Sequence, residues 1–473
     1  MHAGYRLLPF LFRRLGDREL LVNEAGDFLI EPVGTVEQIA THRLEVGSEL
    51  YKDLAANCFV ADNPSLMFLE NYACRIGSRK AFLNDSTTLH IFVLTLRCNQ
   101  NCTYCQASSR DANDSSAFDM KKEELFQAIR LMFQSPALAL TMEFQGGEPS
   151  LVPELLTAAV EYAELLNAEF EKRITYVLCT NCVALTDELL AFCREYDILI
   201  STSLDGPEFL HNSNRGKTDS YANVLEGIRR VRACLGNDRV SALMTTSELS
   251  LQYPEEIVDS YLENGFSGIF IRALNPYGLA VEYANRKGYY ERYLVFYQRM
   301  LDYILRLNSE GTFFVEEFTA LLLRKMLSPF PTGFVDLQSP AGIVNSVIVY
   351  NYDGYVYASD ESRMLGAIGD NTFRLGHVSE SRAKIWAGPR VRRMARLWAT
   401  EFIAGCADCA YQGYCGADPV RNYSTQGDMY GVRPTSFFCK KHKAVIDHLF
   451  SLLIHREQEV MPIFRRWLSG RRS

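Results

Sequence analysis

Between about residues 85 and 310, apolar runs of strand length alternate with amphipathic stretches of helical length, a rhythm that demands repeated βα units around a parallel sheet. Six strands are predicted: Ile91 to Arg97, Leu138 to Gln145, Ile174 to Thr180, Ile198 to Leu204, Val240 to Thr246 and Gly268 to Leu274. Between them, Asp119 to Gln134 reads as a helix with Asp119 as its N-cap. Thr186 caps Thr186 to Glu195, where Asp187 and Glu188 suit the N-terminal dipole, and Pro254-Glu255-Glu256 starts another helix. In such sheets reactive groups gather at the C-terminal ends of the strands.

One such end carries the motif Cys98-Asn-Gln-Asn-Cys102-Thr-Tyr-Cys105, directly after the first strand. Three thiolates hold a four-iron cube incompletely and leave one iron open. Zinc binding or buried free cysteines are the alternatives, but zinc sites usually supply four ligands as two spaced pairs, and no neighbouring His or Cys completes this trio. Gln145-Gly146-Gly147-Glu148-Pro149 follows the second strand, where glycines admit close backbone approach to a ligand. Strand three ends in Thr180-Asn181-Cys182. Strand four ends in Ser201-Thr-Ser203-Leu-Asp205-Gly206, with His211 and Arg215 beyond. On their own, Gly-Gly-Glu and Asp-Gly are turns and Arg215 a surface charge.

Together these residues resemble the radical S-adenosylmethionine (SAM) enzymes. The resemblance implies a partial (β/α)6 barrel, with S-adenosyl-L-methionine on the open iron of a 4Fe-4S cluster held by Cys98, Cys102 and Cys105. It implies that Tyr104 lies near the adenine, that Gly146, Gly147 and Glu148 contact the amino group, and that Thr180 and Asn181 lie near the ribose and methionine. It further implies that Ser203 and Arg215 bind the ribose or the carboxylate, which suits an Arg fork. Cys182 stands where that family has Gly, and a left-handed backbone costs Cys more.

A second cysteine group, Cys406-x2-Cys409-x5-Cys415 with Cys439 beyond, could complete a cluster without an open site. It resembles the SPASM-like domain of peptide maturases, which usually has seven cysteines for two clusters. Pro340 or its neighbours, Ser359 and Pro419 replace three of them here. One auxiliary 4Fe-4S cluster is therefore implied, with a structural zinc on the same four thiolates as the rival. The other six cysteines, Cys58, Cys74, Cys179, Cys182, Cys193 and Cys234, sit mostly in apolar or helical contexts and read as small core residues.

At 473 residues and 48% hydrophobic, the chain can fill two or three domains. Four segments are expected: 1–82, a β-hairpin and helices; 83–320, the barrel; 321–440, the cysteine-rich region; and 441–473, a C-terminal helix. In the first, Glu19 to Asn23 and Phe28 to Ile30 form the hairpin, and Val36 to Leu44 and Ser48 to Ala56 form helices. This looks like a winged-helix element that captures a leader peptide at a sheet edge. A purely structural cap fits equally. Asn351-Tyr-Asp-Gly354 signals a hairpin in the third segment.

The strings Leu89-His-Ile-Phe-Val-Leu-Thr-Leu-Arg97, Glu143-Phe-Gln-Gly-Gly-Glu-Pro149, Ser201-Thr-Ser-Leu-Asp-Gly-Pro207, Ser241-Ala-Leu-Met-Thr-Thr246 and Asn275-Pro-Tyr-Gly278 resemble the B-type radical maturase of His-Xaa-Ser systems. That resemblance implies an enzyme that cleaves SAM to a 5'-deoxyadenosyl radical and modifies a ribosomally made precursor peptide with His-Xaa-Ser repeats. It also implies a companion radical SAM enzyme and a flavodoxin- or ferredoxin-like reductant. It does not identify catalytic side chains or the bond formed. Rival readings are a sulfatase-maturating enzyme and a non-catalytic iron-sulfur or zinc adaptor.

The net charge of -8 excludes a general basic surface for nucleic acid; Arg465-Arg466 and Arg471-Arg472 form a dense basic run at the tail. No apolar stretch is long enough for a membrane span and no export signal is present, so a cytoplasmic location is expected. The cysteine arithmetic predicts about eight irons per chain in reconstituted protein, whereas two auxiliary clusters would need about twelve. Iron and sulfide analysis with Mössbauer spectroscopy checks it, and about four irons with one tightly held zinc would favour the zinc site.

Overall fold

The fold was obtained as a computed structural model, which describes residues 5–62, 65–284, 286–395 and 399–470. The N-terminal segment contains an antiparallel sheet of β1 (Phe10–Leu15), β2 (Arg18–Asn23) and β3 (Phe28–Pro32). The hairpin β2–β3 agrees with the sequence reading, and β1 is an additional strand. Helices follow at Thr35–Ala40, Glu49–Ala56 and Leu66–Arg79. Ser48 caps the second of these by accepting from Tyr51 N at 3.2 Å. Cys74 lies on the outer face of the third and is exposed, so it is not a core residue, whereas Cys58, Cys182 and Cys193 are buried.

The six barrel strands are β4 (Leu89–Thr95), β5 (Ala139–Gly146), β6 (Arg173–Cys179), β7 (Leu199–Ser203), β8 (Val240–Thr246) and β9 (Ile271–Ala273). They pair in parallel in the order β4-β5-β6-β7-β8-β9 and form an open sheet. β4 is buried along almost its whole length, as a strand covered on both faces must be, while β8 alternates because one face looks into the cavity. The predicted sixth strand is interrupted at Phe270. Gly268–Ile269 pairs with Val315–Glu316, and only β9 joins β8. Glu316 fixes the interruption by accepting from Ile271 N at 3.2 Å and Tyr297 OH at 2.6 Å.

The nine-stranded sheet continues across the boundary expected at residue 320. β10 (Val347–Tyr350) adds in parallel to the free edge of β4, and β11 (Tyr355–Tyr357) and β12 (Arg374–His377) extend it antiparallel. The turn at Asn351 to Gly354 joins β10 to β11 as the sequence implied.

Local capping sets several helix starts. Thr186 accepts from Leu189 N at 3.2 Å, and Pro254 opens Pro254–Glu263. Asp119 is the exception. The helix starts later, at Lys122–Phe133, because Asp119 accepts Thr95 Oγ1 at 2.6 Å and the Arg97 fork at 2.9 and 2.7 Å. A charge-assisted two-bond pair outcompetes one capping bond. The C-terminal end is two helices, Phe437–His455 and Glu457–Ser469. Arg466 donates to Asn308 O at 3.2 Å, while Arg471 and Arg472 lie outside the described residues. Among the described residues, no helix is long and apolar enough to cross a membrane.

The N-terminal sheet is bound to the cysteine-rich segment rather than hanging free. Arg13 meets Asp447 through two bonds of 2.8 and 2.7 Å, Tyr411 donates to the same carboxylate, and Tyr414 OH donates to Gly26 O at 2.9 Å. Replacing Asp447 by Ala leaves the buried Tyr411 hydroxyl and the Arg13 fork without their acceptor. Denaturant unfolding should show a loss of about 1–3 kcal/mol.

Candidate active site

The cysteine loop is anchored at both ends by backbone bonds. Gly147 N donates to Thr95 O and Glu148 N to Arg97 O, both at 2.8 Å, laying the Gly-Gly-Glu turn against the strand end that leads into Cys98. Glycine is obligatory there. A Cβ on Gly146, whose φ is +143°, would lie 2.0 Å from Thr95 O, and one on Gly147 would lie 2.2 Å from Arg97 O. On the far side, Asn101 N donates to Arg215 O and Thr103 N to Asn214 O, at the end of helix Glu208–Arg215.

Cys98, Cys102 and Cys105 share one cavity of about 260 Å³ with Tyr104, Gly146, Gly147, Glu148, Thr180, Asn181, Ser203 and Arg215. Every site residue that the sequence suggested around the first motif therefore meets in one place. A larger cavity, about 420 Å³, lies between β1, β2 and Cys409 and contains none of the three cysteines. Burial pushes the Cys98 thiol up to about 12, with further pressure from Glu148, Cys102 and Cys105. Burial also raises Cys102, but Arg215 opposes it, with Nη1 3.6 Å from the sulfur.

Glu148 is almost wholly enclosed. Its carboxylate accepts Thr180 Oγ1 at 2.6 Å, Ser150 N at 3.0 Å and Asn181 N at 2.7 Å. Burial raises its pKa despite these donors. Its main visible work is to hold the Thr180-Asn181 turn, with acceptor capacity left on Oε2. Asn181 Nδ2 in turn reaches Asn99 Oδ1 at 2.7 Å, inside the cysteine loop. Cys182 does adopt the left-handed backbone, with φ of +61°. Three short bonds impose it: Asn181 N to Glu148, Cys182 N to Thr180 Oγ1 at 3.1 Å and Val183 N to Asn181 Oδ1 at 3.0 Å.

Arg215 is not a free fork. Its Nε and Nη2 bind Asp205 at 3.0 and 3.2 Å, and its guanidinium lies 5.4 Å from the Tyr104 ring centroid. Tyr104 OH donates to Asp205 at 2.6 Å. Burial alone would raise Asp205, but Arg215 outweighs it and holds the carboxyl below its ordinary value. Asp205, which sequence reading placed only in a turn, is the hub. His211 is neutral, pushed down to about 4 by burial. Its Nδ1 accepts from Asp205 N at 3.3 Å, so Nε2 donates to Ser220 Oγ at 3.1 Å, which donates to Gln100 Oε1 at 3.1 Å. His211 was noted beyond strand four without a role, and Ser220, Gln100 and Asn99 were missed because nothing in the sequence marks a supporting role.

The second group also gathers. Burial raises Cys415 to about 12, Lys325 opposes, and Cys406, Cys439 and Cys409 add repulsion. Burial also raises Cys406 and Cys439, against Arg433 and Lys443. Among the described residues, no three His, Cys, Asp or Glu side chains converge tightly enough for a single ion. The positions lacking cysteine have other tasks: Ser359 caps helix Asp360–Ala367, and Pro419 opens Pro419–Gln426 behind the cap Asp418.

Residues 92–261 match the Radical SAM superfamily, so the chain carries a radical SAM domain and is an enzyme. That domain implies a 4Fe-4S cluster and SAM. An uncharacterized protein of Methanothermobacter thermautotrophicus is 30% identical over 185 residues, 38% of this chain; the match spans 65% of that protein's length. The cysteine-type anaerobic sulfatase-maturating enzyme of Clostridium perfringens is 22% identical, covering 76% of this chain and 95% of the relative. The structure of anSMEcpe with bound AdoMet aligns with a TM-score of 0.64 at 19% identity, over 81% of this chain and 98% of that one. Streptococcus suis SuiB bound to precursor peptide SuiA gives 0.52 at 14%, over 92% and 100%. At these identities the structures establish a shared fold.

Arg215→Ala removes the cation from a buried carboxylate. Chemical denaturation should show a loss of about 3–5 kcal/mol near neutral pH. Because Asp205 is depressed when folded, the stability it contributes is present above about pH 4 and is lost as pH falls through its folded pKa. The difference between parent and variant should shrink accordingly in acid.

Proposed function

We propose that this enzyme binds a 4Fe-4S cluster through Cys98, Cys102 and Cys105 and modifies a ribosomally made precursor peptide. The carrying observation is the convergence of these cysteines, the Gly146-Gly147-Glu148 turn and Thr180-Asn181 around one cavity at the strand ends. The donor set suits the group: three sulfurs that line one cavity, with an Arg beside one. When bound, the cluster and SAM supply a 5'-deoxyadenosyl radical that removes a substrate hydrogen.

The chain's own residues prepare the site. Gly146 and Gly147 let the backbone approach the cofactor, Ser203 and the remaining Arg215 N–H groups line its wall, and Tyr104 is fixed by Asp205. Helix Asp360–Ala367 contributes Asp360, Arg363 and Met364 to the wall, excluding water from the reaction.

Cys406, Cys409, Cys415 and Cys439 hold one auxiliary cluster in this reading. The substrate class is the His-Xaa-Ser repeat peptide, with a companion radical SAM enzyme and a flavodoxin- or ferredoxin-like reductant. Support for a peptide comes from the fold shared with SuiB bound to its precursor. The sulfatase-maturating alternative is favoured by the Clostridium relative's 95% coverage, but Ser359 and Pro419 stand where its second auxiliary cluster would need cysteines.

Replacing Cys98, Cys102 or Cys105 by Ala should abolish 5'-deoxyadenosine formation in anaerobically reconstituted protein while leaving about four irons bound. Any variant forming it at the parental rate overturns the assignment. The leader reading places a peptide strand on an outer edge of the β1–β3 sheet. Adding precursor should slow amide exchange in β1 or β3, and unchanged exchange there would leave the segment a structural cap.

A further inference from the structure

Two polar side chains stand beside sulfurs of the first cysteine motif. Arg215 Nη1 lies 3.6 Å from Cys102 Sγ, and Ser109 Oγ lies 3.2 Å from Cys105 Sγ. Both residues line the cavity that holds the three cysteines. A thiolate on iron has no proton to give, so in the loaded protein both contacts run one way, from N–H and O–H to sulfur.

Arg215 is built to keep its contact. Its Nε and Nη2 are occupied by Asp205 at 3.0 and 3.2 Å, which leaves Nη1, directed away from that carboxylate, for the sulfur. The Arg215 side chain is 10% exposed and that of Asp205 is wholly enclosed, so water screens the charge little. Arg215 O also accepts Asn101 N at 3.3 Å, one residue before Cys102. The residue that carries the charge therefore anchors the loop that carries the sulfur. Asp205 does not cancel the effect: its own charge is shared with Tyr104 OH at 2.6 Å and Thr245 N at 3.3 Å, and at Cys102 Arg215 is the stronger influence of the two.

Ser109 is held by the short ladder beside it. Arg97–Cys98 pairs with Arg110–Asp111, and Arg110 N donates to Leu96 O at 2.7 Å. The hydroxyl is thus fixed against the same strand end from which the cysteine loop departs.

We propose that Arg215 and Ser109 set the reduction potential of the cluster on Cys98, Cys102 and Cys105, the first as a charged donor to one sulfur and the second as a neutral donor to another, with Asp205 positioning Arg215. Reduction adds an electron to a site that already carries three thiolates, and donors to sulfur stabilise the reduced state more than the oxidised one. A one-electron donor of the flavodoxin or ferredoxin kind then reduces the site more readily. The inference rests on the cluster-binding reading and adds what makes the cluster reducible. It also gives Arg215 a task other than holding the ribose or carboxylate of SAM.

The test is a potentiometric titration of the full-length, reconstituted protein followed by electron paramagnetic resonance. Adding SAM changes the signal of the open-iron cluster and so separates it from an auxiliary one. In the double variant Asp205→Asn/Arg215→Gln both buried charges leave together and neither is stranded. The reduced-to-oxidised ratio at the parental midpoint should fall about tenfold, which for one electron is about 59 mV. Ser109→Ala, at a partly exposed loop position, should lower the ratio about threefold, since a neutral donor is worth roughly half a charged one. Where the double variant does not retain the cluster, Arg215→Lys takes its place: an ammonium cannot hold both Asp205 oxygens and still reach the sulfur, so its midpoint should fall as well. An unchanged or raised midpoint in the Arg215 variants overturns the proposal, and an unchanged midpoint in Ser109→Ala overturns the part given to Ser109. Weaker SAM binding at an unchanged midpoint would make Arg215 a SAM-binding residue and overturn it equally. A parent whose spectrum does not respond to SAM defeats the proposed function itself, and this inference with it.

Discussion

The site depends on a turn that has no room for side chains. Gly146 and Gly147 lie against the carbonyls of Thr95 and Arg97, where a Cβ would lie about 2 Å from an oxygen. That contact joins the end of β5 to the start of the cysteine loop and fixes where Glu148 points. Glu148 then collects Thr180 and Asn181, and Asn181 returns to Asn99 beside Cys98. The circuit is short, and each member is held by the next, which is how a loop of small and polar residues keeps three sulfurs in fixed relation.

Asp205 does the same work on the opposite wall. One buried carboxylate fastens Tyr104, Arg215 and the Thr245 amide, and its own backbone N–H orients His211. The Arg215 charge is thus placed beside Cys102 without freedom to wander. A buried ion pair contributes little net stability, since desolvation offsets the attraction. Its evident return here is geometric.

Much of this was legible in the sequence because period and spacing are local properties. β8 came out at Val240–Thr246 as predicted, and the cysteines, the Gly-Gly-Glu turn and Thr180-Asn181 meet as their strand positions required. What was not legible is competition between distant partners. Asp119 was read as a cap because the next residues look helical, but Arg97, 22 positions back, claims it. The break at Phe270 depends on Glu316, and the roles of Asn99, Gln100 and Ser220 exist only once separate strands are side by side. Cys182 shows the same limit: residue type argued against a left-handed backbone, and tertiary hydrogen bonds imposed it.

The nine-stranded sheet also orders events during synthesis. β4 gains β5 about fifty residues later, but its other edge is closed only by β10, some 260 residues downstream. Until then the nascent chain presents a long apolar strand with one row of unpaired amides and carbonyls, a template for association with other chains. The barrel half of the protein therefore finishes folding only when the cysteine-rich half has emerged, and production of this enzyme should be sensitive to anything that delays or truncates its C-terminal third.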